Sequence, residues 1–322
     1  MNALNKLLEP LSEGFYPSED FPRQMQSNFV HALLLRTTQG ETILRTDEGL
    51  TQELTRMGQK DATVANRIIW SKRKSIAPER RRGREFLRHY KISTKPCNIN
   101  GGMCGECLDC TTYGFAGTDS DNKDVSGSLK SRVISENGFS ILPASKVTGQ
   151  RTFNALSENE TMADMDDKGN LKQRQSINSN DYILPGTHFL DIESFHDLRP
   201  AEFLYALGNI LRTARYGAIN TRMGKVENEV FALVVADADI FSTLEMVQGV
   251  WDALSEKDHP LRADEVKKNA LDQAKQLLEG QVGKTKLVSG PELQTLLDGL
   301  RDAYQDPENE LVPFLKEVRS FK

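Results

Sequence analysis

All four cysteines of the 322-residue chain lie within the stretch CNINGGMCGECLDC, from Cys97 to Cys110. Their spacing, C-x6-C-x2-C-x2-C, brings four sulfurs close to one point, because the glycines between them let the backbone turn tightly. A tetrahedral cage of thiolates at about 2.3 Å is the arrangement that structural zinc prefers. We therefore predict that Cys97, Cys104, Cys107 and Cys110 bind a structural Zn²⁺ ion and stabilise an insertion too small to hold its own core.

Two other uses of the cysteines stay open. Cys104, Cys107 and Cys110 also match three of the cysteine ligands in a bacterial ferredoxin motif, so an iron-sulfur cluster is an alternative cofactor. The fourth cysteine of that motif, which a proline follows, is missing, and the residues TTYG stand in its place. Unrelated reduced thiols or a disulfide pair are the other alternative. A site that uses all four cysteines has no open coordination position, so it would support structure and not catalysis.

The composition indicates a globular protein without a membrane segment. Hydrophobic residues make up 38% of the chain, the mean hydropathy is -0.50, and no apolar run approaches the length of a membrane span. The N-terminus lacks a basic stretch followed by an apolar core, as a secretion signal would have. We expect a cytoplasmic protein with no membrane partner, and clustered cysteines in that reducing compartment favour metal over disulfides.

Positive charge is concentrated in residues 67–91. This segment holds ten Lys or Arg against two Glu, a local charge of +8, whereas the remainder carries -13 in a chain of net charge -5. Charge runs are often solvated helix faces. Three features favour a nucleic-acid surface here: arginines outnumber lysines, aromatic residues are interleaved with them, and Ser75 and Pro78 are expected to divide the segment into two pieces.

The apolar pattern predicts an α+β fold. Residues 28–38 and 41–45 are predicted to form a hairpin, and 139–145, 181–193 and 230–237 are further strand candidates. One apolar face predicts a helix over 199–215, and two more stripes, at 266–278 and 293–304, predict C-terminal helices. The long polar stretches 111–137 and 154–180 are predicted loops, which are functional or mobile when they are this long.

A second basic set lies in YGAINTRMGKV, residues 216–226, where a glycine-rich turn follows a helix and places Arg222 and Lys225 near backbone amides. Such a loop could bind phosphates, although a helix end followed by a hairpin explains it equally well. Asp237 and Asp239 end a predicted strand and could hold a catalytic metal ion. They define the alternative function, a metal-dependent nuclease or nucleotidyl transferase.

Four segments, in this order, resemble a known family: ETILRTDEG (41–49), RIIWSKRKS (67–75), LPASKVTGQRTFN (142–154) and RYGAINTRMGKV (215–226). The chain resembles the backbone subunit of type I-D CRISPR effector complexes (Cascade), a RAMP protein of the Csc family, over residues 20 to about 250. The resemblance implies a modified RRM or ferredoxin-like antiparallel core with a zinc-binding insertion, a thumb hairpin and a helical C-terminal part. It also implies a non-catalytic subunit without a nuclease of its own.

The implied partners are the guide RNA (crRNA), the target DNA strand, other subunits of the complex and copies of the chain, arranged head to tail in a filament. The corresponding regions are an RRM-like core at 1–66 and 138–250, the basic segment with the cysteine insertion at 67–137, a thumb-like loop at 154–180 and a helical region at 251–322. The basic segment and the motifs of the resemblance together give the predicted RNA-binding residues: Arg45, Arg67, Trp70, Lys72, Arg73, Lys74, Arg80, Arg81, Arg82, Arg84, Lys146, Arg151, Arg174, Gln175, Arg222, Met223 and Lys225.

Overall fold

The computed structural model describes residues 3–46, 49–93, 95–99, 102–116, 127–154, 163–165, 171–173 and 177–318. The helices in this part of the chain are α1 (Ala3–Leu7), α2 (Lys72–His89), α3 (Leu108–Tyr113), α4 (Ala144–Val147), α5 (Pro200–Arg212), α6 (Thr243–Ala253), α7 (Ala263–Glu279), α8 (Gly290–Gln305) and α9 (Val312–Lys316). A 3₁₀ turn at Glu9–Gly14 and a π turn at Pro307–Leu311 flank them. None of the described helices is long and apolar enough to span a bilayer.

The strands are β1 (Phe29–Thr38), β2 (Arg45–Thr46), β3 (Gly49–Leu50), β4 (Gln52–Arg56), β5 (Val64–Trp70), β6 (Phe115–Ala116), β7 (Ser128–Leu129), β8 (Val133–Ser135), β9 (Gly138–Pro143), β10 (Thr148–Asn154), β11 (Ala163–Met165), β12 (Leu171–Gln173), β13 (Ile177–Ile183), β14 (His188–His196), β15 (Val226–Ala236) and β16 (Thr285–Val288). Eight of these strands form one sheet in the order β16-β15-β1-β14-β9-β5-β4, with β8 also paired to β14.

The centre of this sheet has the connectivity of an RRM. Strand β1 is followed by α2 and then by β9, and β14 is followed by α5 and then by β15. Spatially these strands lie in the order β15-β1-β14-β9, and each neighbouring pair is antiparallel. This is the split β-α-β arrangement of ferredoxin-like folds. The predicted α+β class with an antiparallel core and C-terminal helices is confirmed, and the C-terminal region also contributes the edge strand β16.

Both faces of the sheet are covered, which explains why β1 is apolar almost throughout. Val30, Ala32 and Leu34 face the core beneath α2, α5 and α8, whereas Leu33 and Leu35 face the core beneath α6 and α7. Successive residues of a strand point to opposite faces of the sheet. A strand between two helical layers therefore needs apolar side chains at both its odd and its even positions. Helices α6 and α7 therefore complete the second core, whereas α8 and α9 pack in the first.

Two details of the predicted secondary structure are wrong. Residues 41–45 do not form a hairpin with β1, because both edges of β1 are already paired, with β14 and β15; Thr42 pairs with Ile183 instead. The predicted strand at 181–193 is divided between β13 and β14, because Pro185 lacks an amide donor and Gly186 has a φ of +78°.

Helix α2 is continuous from Lys72 to His89, although it contains Pro78. The predicted break in the basic segment is therefore wrong. Its inner face packs so closely on α5 that a Cβ at Gly83 would lie 2.3 Å from the Asn209 amide and 2.4 Å from the Tyr205 hydroxyl. This packing outweighs the single backbone hydrogen bond that a proline removes from a helix.

A fully buried ionic cluster lies between the sheet and α2. Arg36 on β1 donates to Asp191 Oδ2 at 2.6 Å, to Glu193 Oε1 at 2.7 Å and to Glu79 Oε1 at 2.8 Å. Lys72 Nζ lies 2.5 Å from Asp191 Oδ1 and 3.5 Å from Glu193 Oε1. Three carboxylates thus share two cations in the interior, and Arg36 is the residue that all three contact.

Glu79 keeps its proton to a higher pH than an ordinary glutamate does. Burial, followed by repulsion from Glu193, raises the pKa of Glu79 to about 8. Between the ordinary pKa of a glutamate and about pH 8, Glu79 holds a proton in the folded chain that the unfolded chain has released. The stability of the protein therefore falls as pH rises through that range.

We expect Glu79→Gln to make the stability of the protein less dependent on pH in that range. The amide oxygen can still accept the hydrogen bonds of Arg36 and Tyr216 without needing a proton. The measurement is urea denaturation of both proteins at pH 5 and pH 8. An equal loss of stability between the two pH values in both proteins would contradict this assignment of the proton.

Candidate functional site

The four cysteine sulfurs converge on one point. Each lies within 4.8 Å of the others, and three separations are 3.5 Å for Cys97–Cys110, 3.7 Å for Cys97–Cys107 and 4.0 Å for Cys104–Cys110. A tetrahedron with metal–sulfur bonds of about 2.3 Å has sulfurs about 3.8 Å apart. A disulfide needs about 2.05 Å, and all four cysteines are free. The cluster could therefore hold one metal ion.

Backbone amides stabilise the thiolate form of the cluster. The Cys104 amide donates to Cys97 Sγ and the Cys107 amide donates to Cys104 Sγ, both at 3.3 Å. Because the thiolate is the metal-binding form of cysteine, these donors favour a loaded site.

The cysteine insertion is attached to the core through Asp109, which lies between two of the cysteines and is fully buried. Its Oδ2 accepts from Arg80 Nε at 2.9 Å and from Arg84 Nε at 2.8 Å. Arg84 also donates to the Cys97 carbonyl at 3.1 Å and to Cys97 Sγ at 3.4 Å. Two arginines one turn apart on α2 thus hold the metal-binding loop in place.

Four residues of the basic segment that were predicted to bind RNA lie in the interior. Arg67, Trp70, Lys72 and Arg84 have relative exposures of 0%, 1%, 8% and 4%. Arg67 donates to backbone carbonyls of Ser140, Ile141 and Met57, Trp70 packs in the core, and Lys72 belongs to the ionic cluster. Since a phosphate cannot reach them in this structure, we remove them from the proposed RNA-binding set, together with the mostly buried Arg80.

The outer face of α2 keeps several cations. Arg73, Arg81 and Arg82 are exposed and Lys74 is half-buried. Arg82 pairs with Glu85 of the same helix at 2.6 Å. Lys146 on α4 is exposed but pairs with Asp258 at 2.5 Å, and it does not line the cleft described next. Arg174 and Gln175 lie outside the described residues.

The remaining predicted cations meet in a cleft of about 510 Å³. Strands β10 and β13 form the base of a hairpin on one side, and the glycine-rich loop between α5 and β15 forms the other. Arg151, Arg222 and Lys225 line the cleft with Met223, and the one carboxylate in the described lining, Glu41, pairs with Arg151 at 2.6 Å. Arg45 contacts its rim by donating to the lining residue Asn180 at 2.8 Å.

The glycine-rich loop is held in a compact shape by the backbone around it. The Ala218 amide donates to the Ile43 carbonyl at 2.9 Å, and the Gly224 amide donates to the Glu41 carbonyl at 2.8 Å. Tyr216 enters the interior beside this loop, where its hydroxyl donates to Glu79 Oε1 at 2.9 Å. The buried ionic cluster thus fixes one end of the loop that carries the cleft cations.

Among the residues of these sites that were not predicted from the sequence are Arg215, Asn180 and Ile219, which line the cleft, and Asp109, which anchors the insertion. Arg215 stands in the RYG segment of the resemblance, and its Nη1 donates to the Met223 carbonyl at 3.1 Å. Its place in that motif was the available signal. Asn180 and Asp109 gave no comparable signal, because their roles depend on contacts distant in sequence.

The alternative site at the end of β15 is less complete. Asp237 and Asp239 are exposed, and Asp237 Oδ1 accepts from the Lys284 amide at 3.0 Å. Within the described residues, the cysteines form the only group of three or more potential metal ligands that lie close together. Asp237 thus serves to join β15 to the segment before β16.

A family model described as Csc2 Crispr matches residues 16–312. The curated proteins contain no match. The crystal structure of Thermofilum pendens Csc2 aligns with a TM-score of 0.66 and 16% identity, over 99% of this chain and 95% of that one. A chain of a structure titled "CRISPR RNA-guided surveillance complex, pre-nicking" aligns with a TM-score of 0.51 and 10% identity, over 85% of this chain and 100% of that one.

At these identities the structural matches establish a shared fold. The family model does more, because it spans nearly the whole chain, from the segment before β1 to the start of α9, and includes the cysteine cluster and the glycine-rich loop. The protein therefore belongs to the Csc2 Crispr family.

Proposed function

We propose that this protein is a non-catalytic, crRNA-binding backbone subunit of a type I-D CRISPR interference complex. The observation that carries the proposal is the cleft between the β10–β13 hairpin and the glycine-rich loop. It gathers Arg151, Arg215, Arg222 and Lys225 around one carboxylate, and a groove with this charge balance suits the phosphates of a single strand.

The cleft fits a protein that holds RNA without selecting its sequence. Arginine forks bind phosphate bidentately, and the outer face of α2 carries further exposed cations. Target recognition is then left to pairing between the crRNA and the target DNA strand. The β10–β13 hairpin, which encloses the predicted loop 154–180, is the element we assign as the thumb.

Copies of the chain are proposed to assemble head to tail along the RNA, alongside other subunits of the complex. Heterologous contacts of this type are open, so a filament grows until another subunit caps it. We propose that the acidic remainder of the chain contributes to contacts between neighbours.

Zinc is the metal we propose for the cysteine site. Four thiolates around a single ion suit Zn²⁺, and the sulfur separations of 3.5 to 4.0 Å fit one ion. An iron-sulfur cluster binds its cysteines through different irons, which sets the sulfurs farther apart. The role of the ion is structural, because the four cysteines leave no coordination position for a substrate.

Replacing Arg151, Arg215, Arg222 and Lys225 together with alanine should weaken binding to single-stranded RNA of any sequence by roughly 100-fold or more. The dependence of log K on log salt should also become shallower by about 0.7 for each lost phosphate contact. Fluorescence anisotropy with a labelled RNA of mixed sequence, at several salt concentrations, measures both effects.

The matched control removes the same charge elsewhere. Arg262, Lys268, Lys275 and Arg301 are exposed on or beside α7 and α8, and their alanine variant should bind RNA with near-normal affinity. Equal losses in both variants would show that only net charge matters and would contradict the cleft assignment. Cleavage of the labelled RNA in Mg²⁺, abolished by Asp237→Ala, would support the nuclease alternative instead.

A further inference from the structure

Ile219, in the glycine-rich loop, has an unfavourable backbone conformation. Its φ is +53°, in the left-handed region that β-branched residues rarely adopt. Two hydrogen bonds to its carbonyl, from the Arg222 amide at 3.0 Å and the Met223 amide at 3.1 Å, hold the turn. Strain of this kind persists only where the surrounding structure enforces it.

The same loop uses glycine at its other left-handed positions. Gly217 has a φ of +80° and Gly224 a φ of +75°, and a Cβ at either position would lie within 2.4 Å of a backbone carbonyl oxygen. At position 219 glycine or asparagine would satisfy the backbone better than isoleucine. The loop therefore carries a strained side chain where a relaxed one was possible.

Burial does not compensate for this strain. The Ile219 side chain is 41% exposed and lines the cleft together with Arg151, Arg222 and Met223. An exposed apolar group gains little from packing within its own chain. In a cleft lined by cations, it offers an apolar contact to a ligand that also carries negative charge, which is the combination found in a nucleotide.

We propose that Ile219 is a nucleobase-contacting residue, packing on the face of an unstacked base while the neighbouring cations bind the adjacent phosphates. This inference rests on the proposed function, since it assumes that single-stranded RNA enters the cleft. Every base has an apolar face, so such a contact is tolerant of sequence, and apolar side chains at nucleic-acid interfaces commonly separate neighbouring bases.

The test uses Ile219→Gly and Ile219→Asn, with Ile219→Val as the conservative control. The first two variants relieve the backbone strain, so their Tm should rise by about 1–3 °C. Their affinity for single-stranded RNA should nevertheless fall by roughly 5- to 10-fold, with an unchanged salt dependence because no charge is lost. Ile219→Val should keep most of the affinity and the Tm of the unaltered protein.

RNA with abasic nucleotides distinguishes a base contact from an indirect effect. The unaltered protein and Ile219→Gly should bind a fully abasic strand with equal affinity, since the contact is then absent in both. Affinity for normal RNA that is unchanged in Ile219→Gly, or a deficit that persists on the abasic strand, would overturn the proposal. The proposed function is judged separately, by the RNA affinity of the four-cation variant of the cleft and of its charge-matched control.

Discussion

Replacing Arg36 with methionine is expected to lower the free energy of unfolding by about 3–5 kcal/mol, the cost of removing one partner from a buried ion pair. The Arg36 guanidinium is fully buried and donates to three carboxylates, Glu79, Asp191 and Glu193. Without it, Lys72 alone would face all three. Since domains are stable by only about 5–15 kcal/mol, the variant should be largely or completely destabilised.

Chemical denaturation followed by circular dichroism measures this loss. The control is Arg301→Met, whose side chain is 63% exposed and pairs with Asp298 on α8; its effect should stay within about 0.5 kcal/mol. If Arg36→Met does not fold, the double variant Arg36→Met/Asp191→Asn provides the comparison, because Asp191 accepts from Arg36 in the unaltered protein and its replacement removes one of the charges that Arg36 compensated. A double variant no more stable than the single one would contradict the view that uncompensated charge causes the loss.

Removing the metal ion is expected to unfold the insertion around the cysteines while the sheet and its helices stay folded. Structural zinc sites contribute about 10–16 kcal/mol of apparent binding energy, which is folding energy for the segment they close. Among the described residues of 95–107, none belongs to the two main cores, so we expect this segment to depend on a bound metal ion and on the Asp109 contacts. Chelation should therefore raise amide hydrogen exchange there by orders of magnitude.

Hydrogen exchange with mass spectrometry, before and after a chelator, measures the local change, and metal analysis of the isolated protein identifies the ion. RNA affinity should change much less than exchange, because the cleft lies between the β10–β13 hairpin and the glycine-rich loop and contains no cysteine. Restored protection on adding Zn²⁺ is the control. Protection that survives complete removal of the metal would contradict the structural role of the site.

Local patterns predicted those parts of the protein that depend on neighbours in sequence. The apolar stripes at 199–215, 266–278 and 293–304 became α5, α7 and α8, because a helix needs one apolar face and that periodicity is visible in the chain. The cysteine cluster was equally visible, since four ligands within fourteen residues can meet through local turns alone.

The use of the basic residues was less predictable. A run of positive charge does not show which members face inward, and α2 turns Lys72 and Arg84 into the structure while Arg73 and Arg81 remain outside. The buried ones are satisfied by carboxylates far away in sequence, such as Asp191, 119 positions from Lys72. The concentration of positive charge in this segment therefore indicated a nucleic-acid surface. It did not show which cations could contact RNA and which form ion pairs in the interior.

The sequence by itself determined the α+β class, the metal-binding cluster and the presence of basic loops, because each of these depends on periodicity or on spacing over a few residues. Only the tertiary structure decided which cations are available. It directed Arg36, Lys72 and Arg84 to buried carboxylates, and it brought Arg151 and Arg222, 71 positions apart, into one cleft. The physical reason is that a charge is stable in the interior only beside an opposite charge, and the sheet topology, not the local sequence, sets which charges become neighbours.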